Sequence, residues 1–237
     1  MRPSFSIARH ELHVWASDLR ALGCLDRAYL SRDEQARANA FVFERDRVRY
    51  RRGRALVRAL LAGYLGVAAS ALKIASQAHV KPRLEDHEIH FNVSHSADSH
   101  VLAISHLDVG VDVELERDVD DALELGRNVF SADENATLCA MPTVDRSNAF
   151  LLGWTRKEAF VKALGIGLGG LDLTAITVGL DAGERTIPAL HAISDSAIKI
   201  RSHRADREFI ASACDPSVTD VIVRDLDEAA VRAFVSA

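Results

Sequence analysis

Between Asp108 and Glu116 the chain alternates without a break: Val109, Val111, Val113 and Leu115 fall on one side, Asp108, Asp112, Glu114 and Glu116 on the other. A period of two is the signature of a strand with one buried face. Comparable short apolar runs predict further strands at 12–16, 89–93, 101–105, 173–180, 199–202, 209–213 and 221–223. Between them lie two long helical patterns, one stopping at Gly63 and Gly66, the other at Gly165 and Gly167. Runs of strands with a few long helices predict an α+β fold.

The pattern repeats. Ser31-Arg-Asp-Glu34-Gln-Ala36 matches Ser131-Ala-Asp-Glu134-Asn-Ala136, and both read as capping boxes that open a helix. Residues 55–60 match 159–164 in the same order, at an offset of roughly a hundred residues. The expectation is two similar α+β lobes related by a pseudo-two-fold axis. An N-terminal lobe at 1–105 would carry the Arg-rich helix, and a C-terminal lobe at 106–237 the acidic strand. A site is expected at their interface.

Composition changes little. With 48% hydrophobic and 27% charged residues, the chain has the make-up of an ordinary globular protein and not of a disordered one. Cys24, Cys139 and Cys214 are few, odd in number and far apart, so no disulfide framework is expected. No stretch reaches signal-peptide or membrane-span character, which predicts a cytoplasmic protein without a membrane role.

Charge is more informative. Basic residues concentrate from Arg27 through Arg37, Arg45, Arg47, Arg49, Arg51, Arg52 and Arg54 to Arg58, and acidic ones from Asp108 to Glu134. The first segment could draw in an anionic partner and the second hold a cation, although each also reads as a solvated face.

Three segments could carry chemistry. On the acidic strand Asp112 and Glu114 share a face about 7 Å apart, where a hard cation with oxygen ligands would relieve their repulsion. An edge strand with a wet face fits the same pattern. In the second long helix Trp154, Glu158 and Lys162 stand at i, i+4 and i+8 on one stripe. The tryptophan turns that stripe inward, where a Glu–Lys pair needs a reason. The segment from His87 to His100 holds Asn92, Ser94, His95 and Ser96, whose amide, hydroxyl and imidazole groups suit a phosphate, with Lys81 and Arg83 just upstream. It lacks the HExxH spacing of a zinc site and the GxSxG of a nucleophile elbow.

Lys81-Pro82, Phe91-Asn-Val-Ser-His-Ser96, Gly110-Val-Asp-Val-Glu114 and Trp154-Thr-Arg-Lys-Glu-Ala-Phe-Val-Lys162, together with Arg37 and the segment from Phe41 to Asp46, resemble the 4′-phosphopantetheinyl transferase superfamily. The likeness is to its two-lobed, surfactin-synthetase-activating type and spans most of residues 30–170. It implies transfer of 4′-phosphopantetheine from coenzyme A to a serine of an apo acyl or peptidyl carrier protein, with release of 3′,5′-ADP. By that resemblance Asp112, Glu114 and Glu158 would hold Mg²⁺, or Mn²⁺ in its place. Glu158 would take the serine proton and Lys162 would contact the pyrophosphate. Arg37, Lys81, Ser94 and His95 would hold the coenzyme. Val80 stands where the family usually has Gly before Lys81, and Glu34 where some relatives carry lysine.

Two rival readings share parts of this chemistry: a metal-dependent nucleotide pyrophosphohydrolase, and an Arg-rich nucleic-acid-binding module. The acidic balance and the lack of a nucleic-acid-binding signature weigh against the latter, so no nucleic-acid partner is expected. If Arg54 and Arg58 occupy the places of Glu158 and Lys162 in the first lobe, a monomer would carry one active site.

Overall fold

The computed structural model describes residues 6–25, 29–75, 80–190 and 194–235; Arg27 lies outside them. The first half runs β1 (Glu11–Asp18), α1 (Arg32–Asn39), α2 (Glu44–Leu65), β2 (Ile74–Ala75), β3 (Arg83–Leu84), β4 (His90–Ser96) and β5 (Ser99–Ser105). The second runs β6 (Val109–Leu115), α3 (Ala122–Val129), α4 (Ala132–Ala140), α5 (Thr143–Leu164), β7 (Arg185–Ile187), β8 (Ile198–Ala205) and β9 (Glu208–Cys214). The chain closes with β10 (Asp220–Leu226) and α6 (Glu228–Val235).

Two four-stranded sheets result, ordered β10-β1-β5-β4 and β6-β9-β8-β7, with β2 and β3 forming a short ladder apart. β10 was expected in the segment 106–237; it lies parallel to β1 and joins the first sheet. Its Leu226, with Val231 of α6, packs into the first hydrophobic core.

The alternation along β6 explains the layering. Val109, Val111 and Val113 meet Leu12, Val14, Val101 and Ala103, so the two sheets face one another. The outer face of the first sheet packs Phe91, Leu102 and Ile104 against Leu56, Leu60 and Leu61 of α2. The outer face of the second packs Ala211, Ala213 and Ile200 against Phe160 and Val161 of α5. The order is helix, sheet, sheet, helix, and the α+β expectation is met.

The repeat has a physical core. Ser31 and Ser131 both cap their helices, and Glu34 and Glu134 return the bond to the cap backbone in full capping boxes. Each glutamate is then held by a cation from the long helix: Glu34 by Arg58 at 2.5 Å and Arg54 at 2.5 Å, Glu134 by Lys157 at 3.0 Å. Arg58 also donates to the carbonyls of Ala69 and Leu72 beyond its helix. Lys157 does the same to Leu173 and Ile176. Both long helices end in a left-handed glycine, Gly66 and Gly165, and Arg58 and Lys157 each stand eight residues before it.

This corrects the register read from sequence. Anchored on the helix ends, Lys157 corresponds to Arg58, and the places of Glu158 and Lys162 fall to Ala59 and Gly63. The sequence match was displaced because Ala- and Leu-rich helical turns resemble one another at several offsets. The first lobe still offers no carboxylate there.

The 173–180 segment differs too. A short 3₁₀ turn at Leu173–Ala175 replaces the expected strand, and no ladder follows directly. Its backbone is satisfied by side chains: Glu134 accepts from the amides of Val178 and Gly179, and buried Arg156 donates to the carbonyls of Val178 and Gly179. With those groups paired, no neighbouring strand is needed.

Breaking the Glu134 clamp should be costly. Lys157→Met would leave a buried carboxylate without its cation, and a loss of about 3–5 kcal/mol is expected in chemical denaturation.

Candidate active site

Gly110 determines how close α5 comes to β6. A Cβ built at this position would lie 1.9 Å from the carbonyl oxygen of Ala159 and 2.3 Å from the amide of Ala163. Only glycine lets β6 and α5 touch backbone to backbone here, with Ala159 and Ala163 supplying the other small surface. Asp112, two residues further along the strand, and Lys162, between Ala159 and Ala163 on the helix, then meet.

Lys162 donates from Nζ to Asp112 Oδ1 at 2.6 Å and to Ser94 Oγ at 3.1 Å, while Ser94 Oγ donates to the same Asp112 oxygen at 2.6 Å. Glu158 lies one turn earlier on the α5 stripe, half-buried like Trp154 and Lys162. Glu114 accepts from Ser96 Oγ at 3.2 Å and from Arg117 at 2.8 Å.

β4 is the other wall. Asn92, Ser94 and Ser96 project from one face of it toward β6, and Asn92 and Ser96 accept the amides of Val111 and Leu115 at 2.9 and 3.4 Å. Side chains thus replace a backbone ladder between the two sheets. The candidate site lies along this seam between the two sheets.

His95, on the opposite face of β4, opens instead onto a pocket of about 590 Å³ whose walls include Arg37, Tyr50, Arg54 and His100. His100 lies under Gly53 of α2, whose absent side chain leaves room for the imidazole. Burial, followed by the nearby His95 and Arg54, pushes the His100 pKa down to about 3, so this imidazole is neutral at physiological pH.

The predicted residues therefore divide into three places. Asp112, Glu114, Glu158, Lys162 and Ser94 gather at the seam. Arg37 and His95 share the pocket. Lys81 joins neither group: its Nζ is bonded to Asp108 Oδ1 at 2.9 Å and to the Ala163 carbonyl at 3.3 Å. Arg117, Arg54 and His100 were missed as neighbours of the site, since each gains its place by long-range packing.

Electrostatics favour proton uptake. Burial pushes the Asp112 carboxyl above its ordinary range and outweighs the pull of Lys162. Glu158 is raised by burial too, with Asp112 and Glu114 adding to the shift against Lys162. Among the described residues no three carboxylate, imidazole or thiol groups already form a metal cage. The donor chemistry nevertheless suits a hard divalent cation: three carboxylates that disfavour one another's charge, facing one ammonium.

The basic run serves the fold in large part. Arg49 pairs with Asp98 at 2.5 Å, Arg52 donates to the Leu19 carbonyl at 2.8 Å, and Arg54 and Arg58 hold Glu34. Among the described residues no helix is long and apolar enough to cross a membrane.

Two α+β halves meeting at a carboxylate-and-lysine seam, beside a pocket lined by arginine and histidine, define a phosphate-handling enzyme. The chain belongs to the 4′-phosphopantetheinyl transferase superfamily. A family model described as 4′-phosphopantetheinyl transferase, N-terminal, matches residues 15–107. The model of the 4′-phosphopantetheinyl transferase superfamily matches residues 108–214. The chain is 33% identical over 201 residues to the 4′-phosphopantetheinyl transferase HetI of Nostoc sp., covering 79% of this chain and 83% of that protein. It is 26% identical over 188 residues to the 4′-phosphopantetheinyl transferase Sfp of Bacillus subtilis, covering 79% and 82%. With psf-1 of Bacillus pumilus, also a 4′-phosphopantetheinyl transferase, identity is 30% over 161 residues, 67% and 68% of the two chains.

Two outcomes test this geometry. Gly110→Ala should force β6 and α5 apart, costing about 3 kcal/mol or more in denaturation and lowering activity. For Glu158 the folded pKa stands above the ordinary value of 4.5, so folding favours the protonated form. The resulting penalty is absent below the ordinary value and grows as pH rises toward the folded one. Glu158→Gln should therefore raise the Tm at pH 7 in chelator-treated buffer, with the gain fading below pH 4.5.

Proposed function

We propose that this chain transfers 4′-phosphopantetheine from coenzyme A to a serine of an apo acyl or peptidyl carrier protein, as a cytoplasmic monomer, releasing 3′,5′-ADP. The observation that carries the reading is the meeting of Asp112, Glu114, Glu158 and Lys162 at the seam, with the arginine- and histidine-lined pocket around the edge of β4.

Glu158 is the base. It is half-buried and its pKa is raised, so it accepts a proton more readily than an exposed glutamate. As the carrier serine Oγ forms a bond to the β-phosphorus of the coenzyme, its proton passes to Glu158, directly or through a water. The bond from that phosphorus to the bridging oxygen breaks, and the electron pair leaves with 3′,5′-ADP. The Lys162 ammonium faces the pyrophosphate and opposes the charge that develops there. Ser94 orients both Asp112 and Lys162.

Arg37 and His95 hold the phosphoadenosine end of the coenzyme in the pocket. Asp112, Glu114 and Glu158 would hold Mg²⁺ or Mn²⁺. A cation there supplies neutralisation of the pyrophosphate charge and a fixed orientation of its oxygens. The carboxylates orient it, and the cations now resting on Asp112 and Glu114 become available to phosphate.

The assay is incubation with coenzyme A, Mg²⁺ and an apo carrier protein. A mass gain of one phosphopantetheine arm on the carrier is expected, and chelation should abolish it. Glu158→Gln should reduce the rate by about a hundredfold or more with the fold intact. Undiminished transfer by that variant, or cleavage of the coenzyme without a gain on the carrier, would overturn the reading.

A further inference from the structure

Lys81 is nearly enclosed: its side chain is 6% exposed, against 49% for its partner Asp108. Burial holds the Lys81 pKa below its ordinary range against the pull of Asp108, so the enclosed ammonium depends on its partners in place of water. Those partners lie on two different elements. Asp108 immediately precedes β6, and its Oδ1 accepts from Lys81 at 2.9 Å and contacts His90 Nδ1 at 3.2 Å. The second acceptor is the carbonyl of Ala163 in the last turn of α5, at 3.3 Å. Carbonyls of a final helical turn lack an intrahelical partner, and a cation is favoured there by the helix dipole. The Lys81 stem also passes under the left-handed C-cap, its Cδ 3.7 Å from where a Cβ of Gly165 would stand.

The seating of α5 on β6 therefore has three points in sequence: Lys81 joining Asp108 to Ala163, the bare backbone of Gly110, and Lys162 on Asp112. Asp112 is four strand residues from Asp108, about 13 Å at the strand rise. A rotation of the last turn of α5 about the Gly110 contact would be checked at one end by Lys81 and would move Lys162 at the other.

We propose that Asp108 is a positioning residue for the transfer reaction: through Lys81 it fixes the last turn of α5 and so holds Lys162 at its working place beside Asp112. This rests on the function given above. It also gives Lys81 a task different from the coenzyme contact that the family resemblance implies, since its ammonium already has two partners away from the pocket of Arg37 and His95.

The test combines kinetics with amide hydrogen exchange on the full chain. Asp108→Ala, at a half-exposed position, should lower kcat by about tenfold or more with the carrier KM unchanged, because a small displacement of a phosphate-facing group is enough. Asp108→Asn keeps an acceptor for Lys81 and should fall between the two. In a double-mutant cycle the Asp108→Ala loss should vanish in the Lys162→Ala background, because the one acts through the other. Amides of the last α5 turn should exchange about tenfold faster in Asp108→Ala, while those leading to Gly66 in α2 stay unchanged. Multiplicative kinetic losses, or unaltered exchange at the end of α5, would overturn the proposal. So would a change confined to the KM for coenzyme A, which would return Lys81 to coenzyme binding. If Lys162→Ala has too little activity to measure, the exchange result decides alone. Full transfer by Glu158→Gln would instead overturn the functional reading, whatever Asp108 does.

Discussion

The contact on which the site depends is the one with no side chain in it. At Gly110 the backbone of β6 lies against the backbone of α5, and any Cβ would overlap the Ala159 carbonyl. Helix-on-sheet packing ordinarily keeps its elements a full side-chain layer apart. Removing that layer at one point brings the polar face of β6 within hydrogen-bond reach of Lys162, which a leucine-lined contact would prevent. A strand glycine weakens its strand through backbone entropy, and here that cost is offset by the placement of charged groups that could not otherwise meet.

Around this contact the two halves have the same skeleton and different chemistry. In each, a buried capping glutamate takes a cation from the long helix, and that cation reaches on to the carbonyls of the following turn. The clamp fixes the short helix, the long helix and the turn with one charged cluster, whose partners are complete enough to tolerate burial. The halves diverge on the stripe next to it. Ala59 and Gly63 stand where the second half has Glu158 and Lys162. Duplicated architecture supplies the scaffold twice, and the reactive groups occupy only one copy.

The seam between the halves is a compromise between attachment and access. Serine and asparagine side chains of β4 take the amides of β6 and also touch its carboxylates. A continuous backbone ladder would attach the sheets more firmly and would close the seam between them. Side-chain bonds leave Asp112 and Glu114 paired with cations, the first buried and the second half-buried. The raised proton affinities of Asp112 and Glu158 show the cost: these charges are held together against their own repulsion and against burial.

Much of this is legible in the sequence alone. Alternation identified β6 and its acidic face, the serine–glutamate boxes opened both short helices, and i, i+4, i+8 spacing put Trp154, Glu158 and Lys162 on one stripe. These are local properties, set by the period of strand and helix, and they determined the fold class and the candidate residues. Local pattern could not decide which groups meet across the chain. It gave 173–180 a strand, whereas Glu134 and Arg156 satisfy that backbone from 44 and 22 residues away. It set Ser94 and His95 in one cradle, yet successive strand residues point to opposite faces, and only packing assigned one to the seam and the other to the pocket. It put Lys81 with the coenzyme ligands, while in the folded chain Lys81 pairs with Asp108 and the end of α5. The sequence determined the elements and the reactive residue types. The tertiary structure decided their partners, because burial and long-range charge pairing depend on surfaces that exist only once the sheets and helices have packed.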